Sequence, residues 1–166
     1  MHESSMENMR RFIDKYLNKN KSLKIADIGS REVKGGSYRR LFANQNWLYT
    51  GYDIVSGPNV DVVLKHHYTW REITPESVDV AISGQTFEHI EFPWMAIESI
   101  YIILKPGGLC CIIAPSNQKI HRYPVDCWRF LPDGFRALAR WTGLDVLECH
   151  IDDKSKYGDC VLICRK

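Results

Sequence analysis

Lys24-Ile25-Ala26-Asp27-Ile28-Gly29-Ser30 runs from an apolar stretch into an acid and then a glycine. Residues 23–28 read as a short strand that Gly29 ends. In open parallel sheets, ligands bind beyond the carboxyl ends of the strands, where the strand order reverses. Gly29 at such an end lets the backbone turn sharply and lets a ligand come close. Gly35 and Gly36 follow, ahead of a helix candidate around 38–43 whose first amides would face that ligand. Asp27 is placed to accept a hydrogen bond from a cationic group, directly or through water. An Asp-x-Gly strand end alone fits many folds.

Outward from this stretch the pattern alternates between strand and helix. Residues 4–18 read as an amphipathic helix, with Met6, Met9, Phe12, Ile13, Tyr16 and Leu17 at helical spacing. Ser4 and Glu7 are spaced for a capping box at its start. Further strands are expected at 47–54, 60–64, 78–83 and 109–114, the last buried on both faces because it is continuously apolar. Helices are expected at 92–104, with Pro93 in the tolerant first turn, and at 132–142, stopped by Gly143. Residues 105–108 read as a turn and 115–129 as a polar loop. Two strands, 144–150 and 160–165, flank a charged turn and make an antiparallel hairpin. The reading is an α/β, doubly wound, mostly parallel sheet with helices on both faces. No repeat or linker interrupts it, so one domain over 1–166 is expected, with residues 1–20 as an N-terminal amphipathic helix packed on it.

Composition narrows the function classes. The chain of 166 residues is 45% apolar and 25% charged, the profile of an ordinary globule. A net charge of +2 gives no electrostatic footprint for nucleic acid. The basic cluster Arg10, Arg11, Lys15, Lys19, Lys21 and Lys24 reads as the wet side of a helix. No apolar run approaches the roughly 20 residues that cross a bilayer. The first residues are polar, unlike a signal peptide, so no membrane association and a cytoplasmic location are expected. The cysteines lack CxxC spacing, and Cys110 and Cys111 lie in an apolar run, where reduced thiols are expected. His66-His67 would point to opposite faces of a strand and so share no ion, and no metal is expected.

A second acid changes the reading of the first. Tyr52-Asp53 ends the second strand, and an acid there can accept both hydroxyls of a ribose. An N-cap aspartate is the plain alternative. The dinucleotide pattern G-x-G-x-x-G is missing, since Ser30 and Arg31 follow Gly29. Together the two strand ends describe a pocket for an adenosine with a charged tail.

Five segments, in order, carry a family resemblance: Ile25-Ala26-Asp27-Ile28-Gly29-Ser30, Tyr49-Thr50-Gly51-Tyr52-Asp53-Ile54, Ser77-Val78-Asp79-Val80-Ala81-Ile82-Ser83, Phe87-Glu88-His89-Ile90 and Leu104-Lys105-Pro106-Gly107-Gly108. The sequence resembles the class I, Rossmann-like methyltransferases that use S-adenosylmethionine, most of all a small methyltransferase-domain subgroup. The resemblance implies a seven-stranded sheet whose last strand is inserted antiparallel. It implies Asp27 and Gly29 near the methionine part of the cofactor, with Gly84 and Gln85 lining the same side; Ser30 and Gly36 are further cofactor-binding candidates. Asp53 would hold the ribose and Ile54 would pack on adenine. Where the family often has an acid after the third strand, this chain has Leu64-Lys65-His66-His67, so adenine recognition departs from the pattern.

Methyl transfer from a sulfonium is a direct displacement that needs the acceptor held in line and water kept out. His89 is a candidate base, with a pKa near working pH, and Glu88 a candidate acceptor contact; both residues would equally suit a structural helix cap. The loop His121-Arg122-Tyr123-Pro124-Val125-Asp126-Cys127-Trp128-Arg129 is the second candidate. His121 and Asp126 would orient an acceptor, Tyr123 or Trp128 would wall it, and Arg129 would bind an anionic group. A structural Asp126–Arg129 ion pair with Trp128 in the core is the alternative. The function expected is methyl transfer to a small-molecule or glycan-precursor acceptor, from a monomer or homodimer. Competing readings are a nucleotide-dependent oxidoreductase, disfavoured by the missing glycines, and a non-catalytic module that kept the fold.

Overall fold

The computed structural model describes residues 2–33 and 35–166. In chain order it comprises α1 (Glu3–Tyr16), β1 (Leu23–Ile28), β2 (Trp47–Asp53), β3 (Val62–Val63), β4 (Val78–Gly84), α2 (Pro93–Ile103), β5 (Leu104–Pro115), α3 (Pro132–Thr142), β6 (Asp145–Ile151) and β7 (Asp159–Arg165). The strands form one seven-stranded sheet in the order β3-β2-β1-β4-β5-β7-β6. The first five strands are parallel, and β7 runs antiparallel between β5 and β6. The expected C-terminal hairpin is present, with its second strand inserted into the sheet.

Period-two alternation explains why the central strands are apolar throughout. Ile25, Val80, Ile82, Cys111, Ile113, Val161 and Ile163 point to one face, where α1 lays Met9, Phe12 and Ile13. Ala26, Ala81, Cys110, Ile112, Leu162 and Cys164 point to the other, under α2 and α3. Helices thus cover both faces. Helix α3 ends at Gly143, whose φ of 79° closes the last turn with bonds to the Ala139 and Arg140 carbonyls. No helix is long and apolar enough to cross a membrane among the described residues.

Four local expectations are corrected. Helix α1 starts at Glu3 with His2 at its N-cap, and no side chain caps it. The Ser4–Glu7 box does not form, because the Ser4 hydroxyl donates instead to Asp159 Oδ2 at 2.7 Å, a stronger charge-assisted bond. Residues 38–43 hold one short 3₁₀ turn, Arg39–Phe42, rather than an α-helix. Asn44 ends it: its side chain accepts the Asn46 amide and its carbonyl the Trp47 amide, turning the chain straight into β2. His66 and His67 lie in an irregular segment beyond the two-residue β3, not on a strand. Residues 105–108 interrupt β5 rather than precede it: the register with β4 jumps from Val78–Leu104 to Val80–Leu109, around Gly107 at φ 79°.

Candidate active site

The strand order reverses between β1 and β4, so their carboxyl ends open side by side onto one crevice. Gly29 forms its floor at φ 76°, and a Cβ there would collide with the Thr86 side chain. The amides of Gly29 and Ser30 both donate to the Tyr52 carbonyl, at 2.8 and 3.0 Å, which ties the loop to the end of β2. Gly84, at the end of β4, is equally constrained, since a Cβ would run into the Tyr38 hydroxyl. The Gln85 backbone after it sits at φ 55°.

Two adjoining cavities fill the crevice. The smaller, about 320 Å³, is lined by Asp27, Ser30, Gly36, Gly84, Glu88 and His121 among others. The larger, about 610 Å³, is lined by Asp53, Ile54, Leu64 and Trp70. Gly29, Gln85, His89 and Tyr123 border both. One elongated ligand can therefore lie over Gly29 with an apolar ring system at one end and a charged group at the other.

The two acids differ in setting. Asp27 is buried, and the Tyr49 hydroxyl donates to it. Burial pushes its carboxyl up to about 7, against the opposing pull of that hydrogen bond and of Arg39. Asp53 stands at the rim, accepting the Arg31 amide at 3.1 Å and the Val55 amide at 3.0 Å. Those bonds fix its carboxylate and leave lone pairs for a diol.

A family model described as a methyltransferase domain matches residues 27–112. This chain belongs to the methyltransferase domain family. It is a class I methyltransferase that uses S-adenosylmethionine. Among curated protein sequences, none matches the chain. Solved structures share the fold. An S-adenosylmethionine-dependent methyltransferase from Aquifex aeolicus superposes with a TM-score of 0.69 at 13% identity, over 99% of this chain and 98% of that one. The 1,6-didemethyltoxoflavin-N1-methyltransferase of Burkholderia thailandensis, solved with 1,6-didemethyltoxoflavin and S-adenosylhomocysteine bound, gives 0.75 at 16% identity, over 99% and 79%. A methyltransferase from Methanosarcina mazei gives 0.70 at 15% identity, over 93% and 96%.

Glu88, His89 and His121 line the methyltransferase's smaller cavity, and His89 also borders the larger. Glu88 and His89 sit on a short 3₁₀ turn after β4, and His121 on the loop after β5. Glu88 is fully buried, and neither carboxylate oxygen has a hydrogen-bond partner among the described residues. Burial pushes its carboxyl up to about 8. Burial also lowers His89 below the usual histidine value, so its ring is neutral at pH 7. The two rings meet edge to face at 4.9 Å, and Tyr123 packs against both.

Other expected residues lie behind this front. Arg129 grips Asp126 with two bonds, at 2.7 and 2.8 Å, and holds that carboxyl well below its usual range. Asp126 also accepts the His121 amide at 2.7 Å, so the pair anchors the loop carrying His121. Trp128 borders neither cavity; its indole donates to the Ile90 carbonyl at 2.9 Å, and it meets Trp94 in an exposed aromatic group.

The sequence reading missed the contribution of the chain's two ends. His2 and Tyr157 line the smaller cavity, their rings 4.7 Å apart and tilted by 48°. Buried Asp159 accepts Gln85 Nε2 at 3.0 Å and Ser4 at 2.7 Å, which fixes the Gln85 side chain. The available signal was an acid opening an otherwise apolar strand, Asp159-Cys160-Val161-Leu162.

Proposed function

We propose that this methyltransferase transfers the methyl group to a small-molecule or glycan-precursor acceptor held at Glu88, His89, His121 and Tyr123. The observation that carries this reading is the meeting of His89, His121 and Tyr123 around fully buried Glu88 at the smaller cavity, which Asp53 does not line. S-adenosylmethionine supplies an electrophilic methyl group on its sulfonium. Asp27, with Ser30, Gly36, Gly84 and Gln85, takes the amino-acid end of the cofactor over Gly29. Asp53 binds the ribose hydroxyls, and Ile54 and Leu64 cover the adenine. His89 donates from Nδ1 to the Val125 carbonyl at 2.7 Å, so its Nε2 is free to receive the acceptor's proton. Asp126 and Arg129 position His121 and do not touch the acceptor. The small-molecule acceptor bound to the Burkholderia thailandensis enzyme supports this class of substrate. A single sheet reaching from residue 23 to residue 165 supports one domain over 1–166.

The test is a screen of small hydroxylated and amino acceptors and sugar precursors with methyl-labelled cofactor. Once an acceptor is found, His89→Ala is expected to lower turnover by about 100-fold or more. Its affinity for S-adenosylhomocysteine should stay within twofold. Full turnover in that variant would remove His89 from the chemistry.

A further inference from the structure

We propose that Glu88, His89 and His121 form a binding site for one divalent transition-metal ion at the acceptor end of the cavity. The donor set argues for it. The carbonyl of Val125 can only accept, so His89 Nδ1, 2.7 Å away, carries the ring hydrogen. The carbonyl of Lys119 stands 3.1 Å from His121 Nδ1 and fixes the same tautomer there, with Asp126 Oδ2 at 3.5 Å behind it. In that tautomer each ring presents a bare lone pair on Nε2. Those two atoms face the same oxygen, Glu88 Oε1, at 3.7 and 4.0 Å.

Two bare nitrogens thus converge on one carboxyl oxygen with no hydrogen bond joining them. All the ligand atoms lie within 4.8 Å of one another. A proton on Glu88 satisfies neither nitrogen, because both are beyond hydrogen-bond reach. A metal satisfies all three. Bonds of about 2.0–2.2 Å to nitrogen and oxygen put tetrahedral ligand atoms about 3.4 Å apart, so binding would draw the three side chains inward from separations of 3.7 and 4.0 Å about Glu88 Oε1 and of up to 4.8 Å across the cluster. The outer contacts are those that metal-ligating histidines use, with each Nδ1–H tied to a carbonyl or carboxylate. Two histidines and one carboxylate leave a fourth position open, and all three residues line the smaller cavity, so that position faces the acceptor.

This inference rests on the acceptor-site reading above and deepens it. A hydroxyl acceptor would bind the ion through its oxygen and release its proton to solvent. The O–CH3 bond then forms as the S–CH3 bond breaks, leaving S-adenosylhomocysteine. His89 would serve as ligand in place of proton acceptor.

The experiment is titration of chelator-treated protein with Co2+, read by visible absorption, and with Zn2+, read by calorimetry. One equivalent of each is expected to bind. Glu88→Gln, His89→Ala and His121→Ala should each weaken binding at least tenfold, while His66→Ala, in an exposed loop, should leave it unchanged. His121→Ala alters a loop residue, so its result stands even if Glu88→Gln proves unstable. S-adenosylhomocysteine affinity is measured on every sample. Absence of a one-equivalent site, or binding that survives in both histidine variants, overturns the proposal. Overturned in that way with S-adenosylhomocysteine still bound, it leaves the acceptor-site reading intact; wild-type protein that fails to bind S-adenosylhomocysteine contradicts that reading instead.

Discussion

Asp27 and Gly29 are the residues proposed to hold the amino-acid end of the cofactor, and each makes a separate prediction. Asp27 must be ionised to hold an ammonium group, and burial places its titration at about 7. Affinity for S-adenosylhomocysteine should therefore rise as pH increases through 7, by up to tenfold per unit on the acid side. Asp27→Asn should flatten this dependence, which calorimetry across pH 5.5–8.5 checks; the range is about 1.5 units either side. The sign for stability is opposite. The folded carboxyl keeps its proton where the unfolded one, near 3.8, has lost it. That contribution is present at acid pH and is lost as pH rises through 7. Gly29→Ala strains a backbone at φ 76° and drives a methyl into Thr86. It should cost about 1–3 kcal/mol of stability and most of the cofactor affinity, seen in denaturant unfolding and calorimetry. His89 titrates below the usual histidine range, so activity should be level through neutral pH and fall only as pH drops through that lowered value. A fall beginning above pH 7 would contradict the assignment. At this scale the sequence was informative where chemistry is local. Asp27, Gly29 and Asp53 sit at strand ends that the pattern locates. Asp159 and His2 escaped it, because Ser4 and Asp159 are 155 positions apart and only the fold joins them.

The elements show why helix α1 belongs to the site as well as the core. It buries Met9, Phe12 and Ile13 against the sheet. Its first turn reaches Asp159 through Ser4, and Asn8 donates to Asp152 Oδ2 at 2.9 Å. Phe12→Ala should destabilise the protein by about 3–5 kcal/mol, because the packed face cannot collapse into the space. Calorimetric melting should then fall by roughly 10 °C. A change under 2 °C, taking about 2 °C per kcal/mol as the floor, would mean that α1 is loosely docked. Element type was legible where periodicity was long: α1, α3, β1 and β4 stand within a residue or two of their expected bounds, while β5 begins five residues earlier than expected, across its bulge. It failed between 38 and 64, where turns rather than apolar period set the path. Asn44 and Asn46 end the 3₁₀ turn early, and β3 keeps only two residues at the sheet's edge.

For the whole molecule, the order reversal between β1 and β4 does the positioning. It separates two strand ends and opens the crevice between them, with Asp53 lining one cavity, Glu88 and His121 the other, and His89 bordering both. The parallel sheet and its terminal hairpin were legible because strands alternating with helix-length segments leave few arrangements. The meeting of His89 with His121 was not, since it depends on where a long loop after β5 folds back. The central claim is that the cofactor lies across Gly29 from Asp27 to Asp53. Its most direct test is calorimetric titration of S-adenosylhomocysteine into wild-type protein and Asp53→Ala. One binding site is predicted for the wild type, with affinity about 10–100-fold weaker in the variant, the worth of a charged hydrogen-bonding group. Equal affinity in the two proteins would contradict the claim.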